Sequence, residues 1–215
     1  VSSKATILLV DDHPLFRKGI RQLIEMEDDL EICAEARGGD EALAIAQANE
    51  PDLILLDLNM QGRDGLDTLR ALRAAGVDSR IIMLTVSDNE ADVIACIKSG
   101  ADGYLLKDME PEDILRKIKD ATLGKMAISE KLTQILATAL RFPSQQAPDP
   151  SASLTSREHE ILTRIAQGHS NKVIARDLGI SDGTVKVHVK HILKKMDMKS
   201  RVEAAVWLVH RKNAN

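Results

Sequence analysis

Five side chains stand where apolar runs give way to polar ones. Asp11 and Asp12 follow TILLV, Asp57 ends LILLD, Thr85 lies near the end of IIMLTV, and Lys107 follows GYLL. Each has an ordinary explanation when taken singly. An Asp-Asp pair after a strand commonly caps a helix or makes a turn, a lone lysine is a solvated surface group, and a threonine is a β-branched strand residue. Asp57 resists such a reading, because a charge directly behind the apolar run from Leu53 to Leu56 is costly unless it emerges beside partners. Together the five describe one chemistry. Three carboxylates repel one another unless a hard divalent cation binds them, and an all-oxygen ligand set with an octahedral preference indicates Mg2+. A carboxylate beside that cation can attack a phosphoryl donor and keep the group as an acyl phosphate, which remains hydrolysable. The Lys107 ammonium would share the charge on the phosphoryl oxygens, and the Thr85 hydroxyl would donate to one of them. His13 follows the acidic pair, but Mg2+ prefers oxygen, so it is read as a first-turn helix residue rather than a ligand.

The elements that must gather these residues are legible as an alternation. Strand candidates at 6–10, 30–34, 53–57, 81–86 and 103–106 are separated by amphipathic stretches near 14–26, 40–48, 65–75, 90–99 and 110–123, several opened by helix-start signals such as Asp-Asn-Glu at 88–90. Five βα units result. Uninterrupted apolar strands require cover on both faces, which predicts an α/β fold with a doubly wound, five-stranded parallel sheet. Ligands of such sheets bind outside the carboxyl ends of the strands, where all five chemical residues fall.

The remainder differs in charge and period. Residues 1–150 carry 17 Lys/Arg against 27 Asp/Glu, a net of −10, whereas residues 151–215 carry 12 against 6, a net of +6. A basic unit behind an acidic one points to a polyanion partner for the former. A first unit at 1–125 is followed by a linker at 126–153, in which 129–141 has helical spacing and FPSQQAPDPSAS cannot bury enough apolar surface to pack. From 154 to 215 the pattern is wholly helical, near 155–167, 171–178, 182–196 and 200–211, with a capping-box pattern at Thr155 and Glu158 and a cap at Ser181. On the third of these helices Val185, Val189, Ile192, Leu193 and Met196 form an apolar stripe, leaving Lys186, Val187, Lys190, Lys194 and Lys195 for an exposed face. A helix of this kind enters the major groove of double-stranded DNA. Lys186, Val187 and Lys190 are placed near bases, Lys172, Lys194 and Lys199 near the backbone, and Thr184 joins the DNA-binding set. A charged, solvated helix face is the plainer alternative. Cys33 and Cys96 sit in apolar runs without metal-binding spacing and are read as buried thiols. No apolar stretch approaches a membrane span, so a soluble, cytoplasmic protein without a membrane partner is expected.

The first unit resembles the response-regulator receiver family. By that resemblance Asp11-Asp12 is the acidic metal pair, Asp57 within LILLDLNM the phosphorylation site, Thr85 the switch hydroxyl, Tyr104 a rotating aromatic and Lys107 the phosphate-binding lysine. The resemblance also makes the main-chain carbonyl of Asn59 a Mg2+ ligand and gives the Asn59 and Asn89 side chains a part in phosphoryl lifetime. Two positions depart from the family: Gln61 replaces a proline, which is expected to loosen the loop beside Asp57, and Asp108 follows Lys107 where many members have a cis-proline. LTSREHEILTRIAQG, SNKVIARDLGIS and GTVKVHVKHILKKM resemble the LuxR-type helix-turn-helix family. The combination is similar to the NarL/FixJ subfamily, a flavodoxin-like receiver followed by a small all-α domain, and within it to nitrate- and nitrite-responsive regulators.

The resemblance implies a sensor histidine kinase as phosphodonor, DNA as target, homodimerisation on DNA through a last helix bearing Val202, Ala205, Val206 and Val209, and RNA polymerase as a further candidate partner. Phosphorylation would release a DNA-binding surface masked by the receiver. Two rivals compete with this non-enzymatic reading. A Mg2+-dependent phosphohydrolase with Asp57 as nucleophile wants a general-acid carboxylate two residues on, where Asn59 stands. A constitutive DNA-binding protein could use the receiver for dimerisation alone, and would have no need of Asp11, Asp12, Asp57 and Lys107.

Overall fold

The computed structural model of the chain describes residues 4–123 and 150–213. The first stretch alternates β1 (Ala5–Val10), α1 (Pro14–Glu25), β2 (Leu30–Ala36), α2 (Gly39–Asn49), β3 (Leu53–Asp57), α3 (Gly65–Ala74), β4 (Arg80–Thr85), α4 (Glu90–Lys98), β5 (Gly103–Leu106) and α5 (Pro111–Thr122). The strands are parallel in the order β2-β1-β3-β4-β5. β4 ends one residue before the predicted limit, leaving Val86 outside the sheet and 72% exposed.

The period of two along each strand sorts the apolar side chains into two cores. Ile7, Leu9, Leu53, Leu55, Ile82, Leu84 and Leu105 face α1 and α5, where Ile20, Ile24, Ile114 and Ile118 cover them. Leu8, Val10, Ile54, Leu56, Ile81 and Met83 face α2, α3 and α4, meeting Ala42, Leu69, Leu72, Val93 and Ile97. Cys96 belongs to this second core, whereas Cys33 is only half-buried, its Sγ lying 3.4 Å from the Ile7 carbonyl. Register levels the strand ends: Val10 pairs with Leu56, Asp57 with Leu84 and Thr85 with Leu106. The residues at or just past those ends therefore emerge side by side.

The second stretch opens with a 3-10 turn at Pro150–Ser153, followed by α6 (Ser156–Ala166), α7 (Asn171–Leu178), α8 (Asp182–Met196) and α9 (Arg201–Asn213). The turn lies at the end of the stretch read as linker: Ser151 is buried and the Leu154 amide donates to its carbonyl at 3.0 Å. The rest of the predicted linker, with the helix expected at 129–141, lies outside the described residues. Thr155 and Glu158 form a capping box at α6, and Ser170 and Ser181 cap α7 and α8. Gly179, at φ +64°, ends α7 in the left-handed conformation that glycine adopts without a Cβ penalty. Ile161, Leu162, Ile165, Ile174, Val185, Ile192 and Trp207 form the core of this unit.

The two units touch. Val202 and Val206 of α9 are buried in the cluster that contains Ile97, Ala101 and Tyr104, against α4. At the same seam Lys190 Nζ stands 3.4 Å from Asp78, and a Cβ on Gly100 would lie 3.2 Å from the Lys199 carbonyl.

Candidate functional site

The level strand ends bring Asp11, Asp12, Asp57, Thr85 and Lys107 to one edge. Asp11 and Asp57 are each 1% exposed. Lys107 Nζ lies 2.8 Å from Asp11 Oδ2 and 2.7 Å from Asp57 Oδ2, and the Lys107 amide is fixed by the Thr85 carbonyl at 2.7 Å. Burial pushes the Asp57 carboxyl above the usual carboxylate range, and Lys107 partly offsets that. A carboxylate so placed is desolvated yet held next to its counter-charge.

Asp57 Oδ1 accepts from the Asn59 amide at 3.2 Å, and Asp11 Oδ1 from the His13 amide at 2.7 Å. Asp11 Oδ2, Asp12 Oδ1 and Asp57 Oδ2 are buried without a well-directed hydrogen bond, Lys107 serving the first and third as an ion-pair partner. Such oxygens suit a hard cation, and Asp11, Asp12, His13 and Asp57 each offer a ligand atom within 4.8 Å of the others.

Thr85 is fully buried, its hydroxyl accepting from Asn59 Nδ2 at 3.3 Å and from the Ser87 amide at 3.1 Å. Tyr104 is turned inward, 2% exposed, and donates to the Ser87 carbonyl at 2.9 Å; burial raises its phenol strongly. Ser87 thus joins the two switch candidates, which nothing in the sequence pattern announces. Asn89 caps α4, its Oδ1 accepting from the Ala91 amide at 2.8 Å.

The expectation for Gln61 is overturned. Its amide donates to Asp12 Oδ2 at 2.9 Å, a bond that proline cannot make, so the residue ties the loop to the acidic pair instead of loosening it. Three further residues support the site without a signal in the sequence. Arg17, 8% exposed, donates to the Asp11 carbonyl at 2.7 Å and to Glu35 at 2.9 Å. The Phe16 ring lies 4.7 Å from Lys107 Nζ, a cation–π distance. Gly65 allows α3 to approach β3 so closely that a Cβ would stand 2.1 Å from the Asp57 carbonyl oxygen.

On α8 the stripe of Val185, Ile192 and Met196 is buried, with Val189 and Leu193 half-buried behind it. Lys186 and Lys190 are exposed, at 63% and 69%, and Val187 at 53%. Thr184 bonds the cap hydroxyl of Ser181, Lys194 is exposed on α8, and Lys172 is exposed on α7. Lys199 lies exposed beside Gly100 at the seam, apart from the α8 face. Lys195 is exposed too, but its Nζ is engaged by the buried Glu158 at 2.6 Å. Lys190 of that face stands 3.4 Å from Asp78 of the first unit, which therefore lies against part of the α8 face as well as against α9.

Among the described residues no helix is long and apolar enough to cross a membrane. Residues 7–119 match the family described as the response regulator receiver domain, and residues 152–208 match bacterial regulatory proteins of the luxR family. The chain is 53% identical over 204 residues to the nitrate/nitrite response regulator protein NarL of Escherichia coli (strain K12), covering 95% of this chain and 94% of that one. It is 47% identical over 208 residues to NarP of the same organism, covering 97% and 96%. Among solved structures, the response regulator ChrA of a heme-sensing two-component system aligns over 100% of both chains with a TM-score of 0.52 and 32% identity.

Proposed function

The chain belongs to the NarL/FixJ response regulators, phosphorylation-controlled transcriptional regulators of two-component systems, and from that premise we propose that Asp57 is the phosphoacceptor and α8 the DNA-reading helix. The domain division proposed is a receiver at 1–125, a linker at 126–153 and a DNA-binding domain at 154–215. An Asp57 carboxylate oxygen attacks the phosphorus of a sensor kinase's phosphohistidine; the P–N bond breaks, its electron pair stays on the imidazole, and an acyl phosphate forms. Lys107 and the Thr85 hydroxyl then hold the phosphoryl oxygens. Asp11, Asp12, Asp57 and the Asn59 carbonyl would hold Mg2+, which supplies charge neutralisation at the phosphoryl group. The observation that carries this reading is the buried Asp57 with Lys107 at 2.7 Å and the carboxylates of Asp11 and Asp12 gathered beside it.

Phosphate at Asp57 biases the Thr85–Ser87–Tyr104 connection. Tyr104 shares its cluster with Val202 and Val206, so the bias reaches the seam that holds α9. Release of α9 frees Val202 and Val206, which join the already exposed Val209 for homodimerisation on paired DNA half-sites, while Ala205 stays in the core of its own unit; Lys186, Val187 and Lys190 meet bases, Thr184 sits nearby, and Lys172, Lys194 and Lys199 meet phosphates. Relatives that respond to nitrate and nitrite support the same signal here, relayed by a sensor histidine kinase in the cytoplasm. The chain acts by binding, not by turnover of an external substrate; RNA polymerase is its candidate target at promoters.

Acetyl phosphate with MgCl2, intact-mass analysis and a DNA-binding selection test the whole reading. Wild type should gain one phosphoryl group and select paired half-sites only when phosphorylated, and Asp57→Asn should do neither. Equal DNA binding by Asp57→Asn and phosphorylated wild type would sink the switch.

A further inference from the structure

His13 does not behave as an ordinary helix-start residue. It occupies the N-cap of α1 but makes no side-chain cap bond. Its Nδ1 is aimed instead into the strand-end cluster, 2.9 Å from Asp12 Oδ1, 3.5 Å from Asp11 Oδ1 and 3.7 Å from Asp57 Oδ2. Cis ligands of an octahedral ion at about 2.1 Å stand about 3 Å apart; the Asp12 spacing matches that, and the Asp11 and Asp57 oxygens stand farther off. The carboxylates it faces include Asp11 and Asp57, both 1% exposed, whose Oδ2 atoms share the single Lys107 ammonium.

We propose that His13 is a nitrogen ligand of this centre and that it widens the margin by which the centre prefers first-row transition cations, Mn2+ and Co2+, over Mg2+. Mg2+ gains little from an imidazole, whereas affinity for borderline ions rises with nitrogen donors and along the series from Mn2+ to Co2+. The ring must present the Nδ1 lone pair, leaving the Nε2 hydrogen for solvent, which its 67% side-chain exposure permits. The inference rests on the reading of Asp11, Asp12 and Asp57 as a metal centre and adds the residue that sets its selectivity.

Calorimetric titration of the full chain with MgCl2, MnCl2 and CoCl2 at one near-neutral pH, for wild type and His13→Asn, tests it. Asparagine is a strong N-cap, so α1 should persist, as circular dichroism would verify. Carboxylates alone already favour Mn2+ and Co2+ over Mg2+, so the loss on substitution is the discriminating quantity. His13→Asn should weaken Co2+ and Mn2+ by about tenfold or more and Mg2+ by less than about twofold. Pulsed electron paramagnetic resonance of the Mn2+-loaded wild type should show imidazole nitrogen coupling that the variant lacks. Equal losses for all three ions, no loss, or no nitrogen coupling would overturn the assignment of His13 while leaving the carboxylate centre intact. Failure of wild type to bind any of the three ions would overturn the metal reading beneath it.

Discussion

Asp11 and Asp57 are two buried carboxylates that share one lysine, and their geometry is maintained by contacts to backbone as much as to side chains. Gly65 shows how little slack remains. Gly65→Ala would place a methyl 2.1 Å from the Asp57 carbonyl oxygen and 2.6 Å from Leu58 Cα, so the backbone of β3 or α3 must shift. A loss of about 1–3 kcal/mol in a denaturant titration is expected, with slower phosphoryl incorporation at Asp57 by mass spectrometry; unchanged values for both would refute the close-approach argument. A second residue-scale prediction concerns Glu158, 3% exposed in the C-terminal unit. Burial alone would raise its carboxyl, but Lys195 Nζ, the Thr155 amide and the Thr155 hydroxyl outweigh burial and bring it from 4.5 to about 2. The folded state therefore holds this group ionised at pH values where the unfolded chain protonates it. Its contribution is complete above about pH 4.5 and disappears as pH falls towards 2. Trp207, the sole tryptophan, is buried in the same unit and reports its unfolding. The urea midpoint read by its fluorescence should fall from about pH 5 to about pH 3 more steeply in wild type than in Glu158→Gln.

At the scale of elements, α8 divides its surface between a buried stripe and a basic face, and DNA binding should separate the roles on that face. Lys194→Ala should weaken binding to all sequences and lower the salt slope by about one, while Lys190→Ala should cost about 1–3 kcal/mol on the preferred site and relax its preference at one position. Anisotropy titrations on specific and scrambled duplexes at several salt concentrations distinguish these outcomes; identical behaviour of the two variants would refute the division. The elements themselves were readable because strand burial on both faces leaves an uninterrupted apolar signature, as in Leu53 to Leu56, and because Thr155, Ser170 and Ser181 carry capping chemistry in their side chains. The five strand-end residues were readable for the same reason: topology fixes where a strand ends. Arg17, Gly65 and Ser87 were not, since each acts through a main-chain contact made by folding, and the same lies behind the reversal at Gln61. The pairing of Lys195 with Glu158 was hidden because the two are far apart in sequence.

Across the whole molecule, the seam balances favourable and unfavourable terms. Val202 and Val206 bury apolar surface, while Arg201, 4% exposed, meets Arg80 from the other unit; burial and then that neighbour lower its pKa to about 9. The Lys190–Asp78 pair is exposed on both sides and adds about 0–1 kcal/mol at most. The valines therefore dominate closure. Val206→Asp should open the seam, seen as a larger radius of gyration by small-angle scattering and faster amide exchange in α4. A radius and exchange pattern equal to wild type would show that the valines are not what holds the units together.

Because Val206 completes a cluster whose other members reach back to Leu8, one face of the first unit stays unfinished during synthesis until the ninth helix leaves the ribosome. At typical elongation rates, Ala121 and Val206 are separated by on the order of ten seconds. During that interval the nascent chain carries an apolar patch on α4 that Val202 and Val206 have yet to cover, which makes the order of translation itself a window for chaperone capture or for premature pairing between neighbouring chains on one messenger.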